Sequence, residues 1–537
     1  MAPRGFQPRL LSHVLDQEAA HDPDRLFCIH TSSLRCADHG WRRVTVGALA
    51  CAVDNFAWWM ERTIASRSTP ERLVYMGPND IRYTIWMLAC MKLGHSAVLL
   101  PPVISRAAAD CLIRNGNLSK VLYAPECSEN ARMIRNCNEK VQLWEVAGLW
   151  KLFDGPRVPF PCDHEYTLAR ERQPVAVLYS SGTTGLPKEI VLPHGYFTAL
   201  DYLQHVPLPP GRISTAPWLS DPEDPHLSKM NFFHATGIVT WAAALLHRIR
   251  FVIGPDVALT APLLEQILAE TGAKSALFAP DHLVNLGTSK EALQALAGFR
   301  CVSFVGMALP RTVGDEIARV TRLQSSIGLT ETGYFHTLRP EQRSDWEYFE
   351  WNPHYPIDMQ EEGSSGYCQL VFRRSAEPYL HGVFVVLPGR TEFSTGDLYV
   401  QHPQNPKLWK NAGRQDNMCK LQNRVILYPT PIEEIFEAHG FVARAVVSTD
   451  LRFRAVLIIE PDWKQTGCPR SPDGLVSSIS PLVENTNRDL PVEAHISKDR
   501  ILVTPTDSPF PRTAKGSVQR RAVLEAYQEE ISAMSNI

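Results

Sequence analysis

Residues 174–188 carry the strongest local signal in the chain, reading Pro174-Val-Ala-Val-Leu178 and then Tyr179-Ser-Ser-Gly-Thr-Thr-Gly-Leu-Pro-Lys188. The first five residues form the short apolar run that is typical of a buried strand. The glycines that follow let backbone amides approach phosphate oxygens, and the hydroxyls and Lys188 add donors and positive charge. This is not a Walker A loop, because Lys188 follows Leu-Pro and no Ser or Thr comes next. The segment therefore predicts a strand that leads into a phosphate-binding loop.

On both sides of this loop, helical periodicity alternates with short apolar runs. In the clearest example, Thr260 is placed to cap a helix, Pro262 fits its first turn and Gly272 is placed to end it, before the apolar run 276–279. The same order of helix and then strand is found at Ile85–Leu93 with Ser96–Leu100, and at Val313–Val320 with Leu323–Ser326. This alternation predicts an α/β architecture with substantially parallel sheets.

The composition changes after about residue 410. Thr430-Pro-Ile-Glu433 has the spacing of a capping box with proline at the first helical position, and Gly440 is placed to end that helix. Alternating runs follow at Ala443–Val447 and Ala455–Ile459. The last part of the chain is therefore predicted to be a small α+β unit of its own.

Composition excludes several classes of protein. The chain has 537 residues, long enough for two or more domains, and 54 Lys and Arg against 57 Asp and Glu give a net charge of −3. A nearly neutral chain gives no electrostatic reason to expect nucleic acid or an anionic membrane as partner. Twelve dilute cysteines without a CxxC pair fit a reducing compartment. We find neither a signal peptide nor a membrane span in the sequence and expect a cytoplasmic protein.

Six further motifs follow the loop along the chain. In order, they are Asn231-Phe-Phe-His-Ala-Thr-Gly237, Val305-Gly-Met-Ala-Leu-Pro310, Ser326-Ile-Gly-Leu-Thr-Glu331, Ser394-Thr-Gly-Asp397, Gly413-Arg-Gln-Asp416 and Pro511-Arg-Thr-Ala-Lys-Gly516. Together with the loop they resemble the motifs of the adenylate-forming (AMP-binding, ANL) superfamily. That superfamily includes acyl-CoA and aryl-CoA synthetases, luciferases and the adenylation domains of nonribosomal peptide synthetases.

The resemblance implies a site for ATP and Mg²⁺. Thr330 would contact the α-phosphate, Glu331 would hold Mg²⁺, Asp397 would accept both ribose hydroxyls, and Lys515 would bridge the carboxylate and the α-phosphate. The full set of ATP-binding candidates is Ser180, Ser181, Gly182, Thr183, Thr184, Gly185, Lys188, Gly306, Met307, Ala308, Ser326, Ile327, Gly328, Thr330, Asp397 and Arg414.

The same resemblance implies a hinge at Asp416. It divides the chain into an N-terminal adenylation core, residues 1–414, and a small mobile lid, residues 415–537.

The acid substrate would bind beside His234, which faces the carboxylate in the family motif. The implied pocket is apolar and consists of Phe233, His234, Ala235, Thr236, Met307 and Leu329. Relatives that activate amino acids have an aspartate in this motif, where this chain has Phe233-His234. An aryl or acyl acid is therefore expected rather than an α-amino acid.

Three positions depart from the family pattern. Ile327 stands where the family has an aromatic residue that stacks on adenine. Asn423 replaces a glycine, and its side chain would narrow a tunnel for pantetheine. Ser517 occupies the common lysine position and the lysine here is Lys515, which shares a face with residue 517 in an extended segment.

The expected reaction is ATP-dependent activation of the acid with release of pyrophosphate, followed by transfer to a thiol such as that of CoA. Segments 409–416, 428–434 and 511–521 look like fungal peptide-synthetase-like adenylation domains. One alternative is therefore a standalone enzyme, or a domain cut from a longer protein, that loads the phosphopantetheine of a carrier protein. A second alternative, motivated by the three departures, is a catalytically weak nucleotide-binding or scaffold protein.

Overall fold

A computed structural model describes residues 6–64, 67–163, 165–181, 187–216, 223–363, 365–422, 426–513 and 517–534. The strands in chain order are β1 (Leu26–Thr31), β2 (Trp41–Thr45), β3 (Arg72–Met76), β4 (Ser96–Leu100), β5 (Lys120–Tyr123), β6 (Gln142–Glu145), β7 (Pro174–Ser181), β8 (Pro187–Pro193), β9 (Pro225–Ser228), β10 (Arg250–Ile253), β11 (Ser275–Phe278), β12 (Cys301–Val305), β13 (Arg322–Ser326), β14 (Gly328–Leu329), β15 (Gly333–Tyr334), β16 (Thr337–Leu338), β17 (Phe349–Trp351), β18 (Asp358–Glu361), β19 (Cys368–Arg373), β20 (Glu392–Gln401), β21 (Leu408–Arg414), β22 (Cys419–Lys420), β23 (Ile426–Leu427), β24 (Val442–Thr449), β25 (Ala455–Pro461) and β26 (Ile501–Val503).

The helices of the described residues are α1 (Leu11–His21), α2 (Val46–Thr63), α3 (Arg82–Leu93), α4 (Arg106–Asn115), α5 (Ser128–Cys137), α6 (Leu168–Glu171), α7 (His194–Tyr202), α8 (Ala235–Leu246), α9 (Ala261–Thr271), α10 (Pro280–Gly287), α11 (Lys290–Leu296), α12 (Arg311–Val320), α13 (Val383–Val386), α14 (Pro429–Glu437), α15 (Pro472–Arg488), α16 (Arg520–Ala526) and α17 (Gln528–Met534). Short 3₁₀ turns lie at Pro125–Cys127, Leu149–Phe153, Leu203–His205, Arg343–Asp345, Gln415–Asn417, Val492–Ala494 and Lys498–Arg500.

Two largely parallel sheets form the N-terminal part of the molecule. One has the strand order β6-β5-β3-β4-β7-β8, and only the edge strand β8 runs antiparallel to its neighbour. The other has the order β13-β12-β11-β9-β10-β1-β2, and only the edge strand β2 is antiparallel. Their shared core includes the fully buried Trp86 and Trp241. The α/β architecture predicted from the alternating pattern is confirmed.

Local signals placed the helix at Ala261–Thr271 correctly. The Thr260 side chain accepts a hydrogen bond from the Leu263 amide, and Gly272 ends the helix with a φ of 68°. A left-handed residue at this position costs glycine little, since it has no Cβ. The strand β11 follows, as the apolar run predicts.

A third sheet, with the order β16-β17-β21-β20-β19-β18, is antiparallel throughout. Its strands β20 and β21 carry two of the residues implied in nucleotide binding. Asp397 lies on β20 and is paired in register with Arg414 at the end of β21.

The C-terminal part is the small α+β unit that the composition predicts. Strands β24, β25 and β26 form one sheet, and helices α14 and α15 pack with it around a separate apolar core. The predicted capping box at Thr430 is wrong, because helix α14 begins at Pro429 with Tyr428 as its N-cap residue. Glu433 does not reach back to the helix start; it accepts the Val447 amide proton and forms an ion pair with Arg520.

Candidate functional site

The predicted phosphate loop joins the antiparallel pair β7 and β8. Ser180 and Ser181 end β7, and Gly182, Thr183, Thr184 and Gly185 lie outside the described residues. Lys188 on β8 is in register with Ser180. Its side chain is 70% exposed, and its Nζ lies 3.9 Å from Oε1 of Glu331. The cation implied for the phosphates is therefore close to the carboxylate implied for Mg²⁺.

Thr330 and Glu331 form the turn between the short strands β14 and β15. A Cβ on Gly328 would lie 2.4 Å from the Gly333 carbonyl oxygen, so only glycine allows the two strands to approach this closely. The Leu329 amide donates to Oγ1 of Thr332 at 3.1 Å, which closes the turn. Thr330 and Glu331 are half-buried at its tip.

Asp397 is a buried carboxylate beside a guanidinium. Nη1 of Arg414 donates to its Oδ1 at 2.7 Å, and Nη2 of Arg414 donates to the Thr395 carbonyl at 3.2 Å. Burial raises the pKa of the Asp397 carboxyl to about 6, the Arg414 guanidinium lowers it, and the Glu331 carboxylate raises it. The effect of Glu331 on this pKa places it in the electrostatic range of Asp397.

The pKa of Asp397 predicts a pH dependence. A carboxylate can accept from two ribose hydroxyls, whereas its protonated form gives up one of those acceptors. The ordinary pKa of aspartate is about 3.9. Because the pKa of Asp397 is raised to about 6, its carboxylate becomes protonated at a higher pH than an exposed aspartate would. We expect kcat/KM for ATP to rise with pH through about 6, and an Asp397→Asn variant to lack that limb; a pH profile of pyrophosphate release at limiting ATP measures it. A wild-type profile that is flat between pH 5 and 7 would contradict this assignment.

The segment Gly306-Met307-Ala308 follows β12 at the carboxyl end of the parallel sheet, and Gly306 has a φ of 102°. This edge of a parallel sheet is where α/β proteins bind ligands. Oγ of Ser517, from the C-terminal unit, donates to Sδ of Met307 at 2.6 Å. Residue 517 therefore lies at the predicted site, while Lys515 is outside the described residues.

The predicted acid pocket is at the same edge of the sheet. His234 is the N-cap residue of α8, and its ring lies 4.6 Å from the ring of Phe233, tilted by 58°. Ala235 and Thr236 form the first turn of α8 and are half-buried. Leu329 packs against the main core beside the turn that carries Thr330.

The remaining adenine-side candidates are placed by backbone contacts. Ser326 is the last residue of β13 and is buried, and its Oγ donates to the Thr215 carbonyl at 2.9 Å. Ile327 is half-buried, and its carbonyl accepts from the Phe335 amide.

The predicted hinge lies in a set of contacts that the motifs did not reveal. Nη2 of Arg414 is 3.9 Å from Oδ2 of Asp416. The intervening Gln415 donates to Glu362 and accepts from Gln369. Nearby, Tyr367 of the third sheet's loop stacks on Tyr428 of the C-terminal unit, with ring centroids 3.8 Å apart. Asn423 is outside the described residues.

Sequence reasoning also missed Tyr196 and Asn79. Tyr196 is fully buried; burial raises the pKa of its hydroxyl, and the Glu331 carboxylate raises it further. Asn79 binds the backbone just before the predicted acid pocket. Neither residue belongs to a motif, so only the long-range contacts show their relation to the site.

The donor set fits a magnesium nucleotide. Among the described residues no three His, Cys, Asp or Glu side chains lie together as a metal cluster. Mg²⁺ commonly takes one or two protein carboxylates and completes its shell with substrate phosphates and water. Glu331 beside Lys188 can supply such a carboxylate. No helix in the described ranges has the length and apolar character needed to cross a bilayer.

Comparison with known families decides the classification. Residues 15–351 match the family described as AMP-binding enzyme, and residues 416–536 match the family described as AMP-binding enzyme C-terminal domain. The chain belongs to the AMP-binding enzyme family. The superfamily predicted from the seven motifs is thereby confirmed.

Several fungal proteins are similar to this AMP-binding enzyme over most of its length. It is 27% identical over 540 residues to a carboxylic acid reductase of Neurospora crassa, and the alignment covers 97% of this chain and 50% of that protein. It is 26% identical over 533 residues to an isocyanide synthase-NRPS hybrid of Aspergillus fumigatus, covering 97% of this chain and 33% of that protein. It is 28% identical over 408 residues to an adenylate-forming reductase of Serpula lacrymans, and the alignment covers 71% of this chain and 35% of that protein. The AMP-binding enzyme thus spans a third to a half of the length of these relatives.

Solved structures share its fold. An anthranilate CoA ligase in complex with anthranoyl-AMP superimposes with a TM-score of 0.74 at 15% identity, covering 100% of both chains. The ATP-bound MatB of Rhodopseudomonas palustris also gives 0.74 at 15% identity, covering 97% of this chain and 100% of that one. The predicted fold class is confirmed: this chain has a large N-terminal part with largely parallel sheets and a smaller α+β C-terminal unit.

Proposed function

We propose that the chain activates a carboxylic acid with ATP. A carboxylate oxygen attacks the α-phosphorus, the bond from that phosphorus to the bridging oxygen breaks, and pyrophosphate leaves the acyl-adenylate. The observation that carries this proposal is the convergence of Lys188, Glu331, Asp397 and Arg414 from two different sheets and a turn.

Each of these residues has a task in the reaction. Bringing a carboxylate to a polyphosphate gathers negative charge, so the site must supply cations and oriented donors. Lys188 would hold the departing phosphates, and Mg²⁺ on Glu331 would neutralise further charge. Asp397 would hold the ribose hydroxyls, and Arg414 orients the Asp397 carboxylate and lowers its pKa against the effect of burial.

The C-terminal unit would complete the site. The contact of Ser517 with Met307 supports this proposal, because Ser517 follows Lys515 by two positions in the sequence. Lys515 would bridge the carboxylate and the α-phosphate. The division at residues 414 and 415, with Asp416 as pivot, would let this unit exchange one loop for another between half-reactions.

The second half-reaction is transfer to a thiol. The sulfur would attack the acyl carbon, and AMP would leave. CoA and the phosphopantetheine of a carrier protein are both candidate acceptors. The fungal relatives, which are named reductases and peptide synthetase hybrids, favour a carrier or reductive route over release as a CoA ester. The apolar character of the residues predicted to line the acid pocket, which include Phe233 and Met307, supports an aryl or acyl acid as the substrate.

The first test is ATP-dependent pyrophosphate release with Mg²⁺, hydroxylamine as acceptor and a panel of aryl, fatty, keto and amino acids. We expect turnover with one acid class. Comparing CoA with a carrier protein as acceptor then assigns the second step. ATP binding by calorimetry without turnover on any acid would favour the catalytically weak nucleotide-binding protein.

Lys188→Ala is expected to lower pyrophosphate release about 100-fold, because it removes the cation whose Nζ lies 3.9 Å from the Glu331 carboxylate. Lys464→Ala is the matched control, since Lys464 is an exposed lysine of the C-terminal unit. The two variants are compared by steady-state kinetics with the best acid of the panel. Equal rates for both would remove Lys188 from the site.

A further inference from the structure

The turn between β3 and α3 is unusually well fixed for a loop. A Cβ on Gly77 would lie 2.3 Å from the hydroxyl of Tyr75, so the chain passes close to that ring. The Tyr83 hydroxyl accepts from the Gly77 amide at 3.2 Å. Asp80 and Arg82, both fully buried, form an ion pair of 2.7 Å where the turn enters α3, and Arg82 also pairs with Glu126. A buried and paired charge of this kind holds one geometry, because loss of either partner leaves the other desolvated.

This turn presents the Asn79 side chain to another part of the chain. The Phe232 amide donates to Oδ1 of Asn79 at 2.8 Å, and Nδ2 of Asn79 donates to the Met230 carbonyl at 3.3 Å. Asn79 is 8% exposed, so water does not compete freely for these two bonds. One side chain thereby satisfies the backbone of two residues that lie about 150 positions further along.

The backbone held by Asn79 leads directly into the predicted acid pocket. The next residue is Phe233, whose ring lies 5.9 Å from the ring of Tyr83 at the start of α3. His234 follows and starts α8, and its amide donates to the Asn231 carbonyl at 3.0 Å. A Cβ on Gly237 would lie 2.2 Å from that carbonyl oxygen, so the bend leaves no space for adjustment. A shift at Phe232 must therefore move Phe233 and His234.

We propose that Asn79 is a positioning residue for the acid substrate. It acts through the backbone of Met230 and Phe232, which sets where Phe233 and His234 stand against the carboxylic acid. Because β3 and β9 belong to different sheets, this contact also fixes the two sheets relative to each other at the pocket. The inference rests on the proposed function, in which Phe233 and His234 contact the acid.

The test compares the KM for the acid with the KM for ATP in Asn79→Ala. Loss of a buried hydrogen bond is worth about a tenfold change in an equilibrium constant. We expect the acid KM to rise about tenfold, while the KM for ATP stays within about twofold. The ratio of kcat/KM between a larger and a smaller accepted acid should also change, because a displaced pocket wall treats the two acids differently.

Two further variants separate positioning from folding. Asn79→Asp keeps the size and the oxygen that accepts from Phe232 but loses the donor to Met230, so its acid KM should rise even if Asn79→Ala folds poorly. Asn487→Ala is the matched control, since Asn487 both donates to and accepts from Ile496 in the C-terminal unit. It should leave the acid KM and the preference between acids unchanged.

The outcomes are distinct. If the wild-type chain turns over no acid, the proposed function fails and the role of Asn79 fails with it. If the wild-type chain is active but folded Asn79 variants keep the wild-type acid KM, only the positioning role is overturned. Equal rises in the KM for acid and for ATP, or the same change in Asn487→Ala, would likewise show a merely structural residue.

Discussion

Asp397→Ala is expected to reduce kcat/KM for ATP at least 100-fold in pyrophosphate release. The carboxylate is the only group assigned to both ribose hydroxyls, and its removal also takes away the partner that accepts from Nη1 of Arg414 at 2.7 Å. Two charge-assisted hydrogen bonds are worth about 3 kcal/mol or more, which corresponds to a factor of at least 100.

The fold should tolerate loss of the negative charge at position 397. Burial raises the pKa of Asp397 to about 6, which means that the ionised form is held in the folded chain at a cost. Asp397→Asn removes that cost and keeps the shape of the side chain, so its melting temperature should not fall while its kcat/KM for ATP does.

Asp358→Ala serves as the control for Asp397→Ala. Asp358 lies on β18 of the same sheet, and it accepts hydrogen bonds from Arg373 at 2.8 Å and from Gln360 at 3.0 Å, neither of which is a proposed site residue. Its loss should leave kcat/KM for ATP within about twofold, since exposed ion pairs contribute little. An Asp397→Ala variant that retains half of the wild-type kcat/KM would show that ribose is bound elsewhere.

The second large effect concerns the displaced lysine. Lys515→Ala should lower adenylation about 100- to 1000-fold, because no other cation is assigned to the bridge between the carboxylate and the α-phosphate. Ser517 lies against Met307, so a lysine introduced at position 517 would reach the same site. In the Lys515→Ala background, we expect Ser517→Lys to raise the rate of adenylation at least tenfold above the rate of Lys515→Ala alone.

A second variant tests whether the rescue depends on the positive charge at position 517. Ser517→Gln in the Lys515→Ala background has a long side chain without the charge and should restore nothing. Thiol transfer from a supplied acyl-adenylate should survive in Lys515→Ala, because that step needs no bridge between two anions. Full adenylation by Lys515→Ala would show that the lysine of this segment is not catalytic.

Local chemistry made much of the fold predictable. Thr260, Pro262 and Gly272 mark a helix through short-range rules of capping and backbone geometry, and the structure confirms them. The start of α14 was misplaced because Pro429 and Pro431 both fit the first turn of a helix. In the structure Glu433 is engaged by Val447 and Arg520, which are distant in sequence, instead of capping the helix start. Short-range capping rules do not include such contacts.

The site was predictable only as a set of motifs. Their order along the chain named Asp397 and Arg414, but the bond between them depends on the register of β20 and β21, which includes a bulge. Asn79 could not be found in this way, because its partners Met230 and Phe232 are distant in sequence and are recognised through backbone atoms. A side chain that binds backbone leaves no pattern in the partner's residue types.

The stacked rings of Tyr367 and Tyr428 have a spectroscopic consequence. At 3.8 Å and 18° the two phenol chromophores are close enough for their electronic transitions to couple, which produces a signal in near-ultraviolet circular dichroism. One ring belongs to the large N-terminal part and the other to the small C-terminal unit. The part of the near-ultraviolet signal that a Tyr428→Leu variant loses therefore reports, without a label, on the contact between the two parts of the chain.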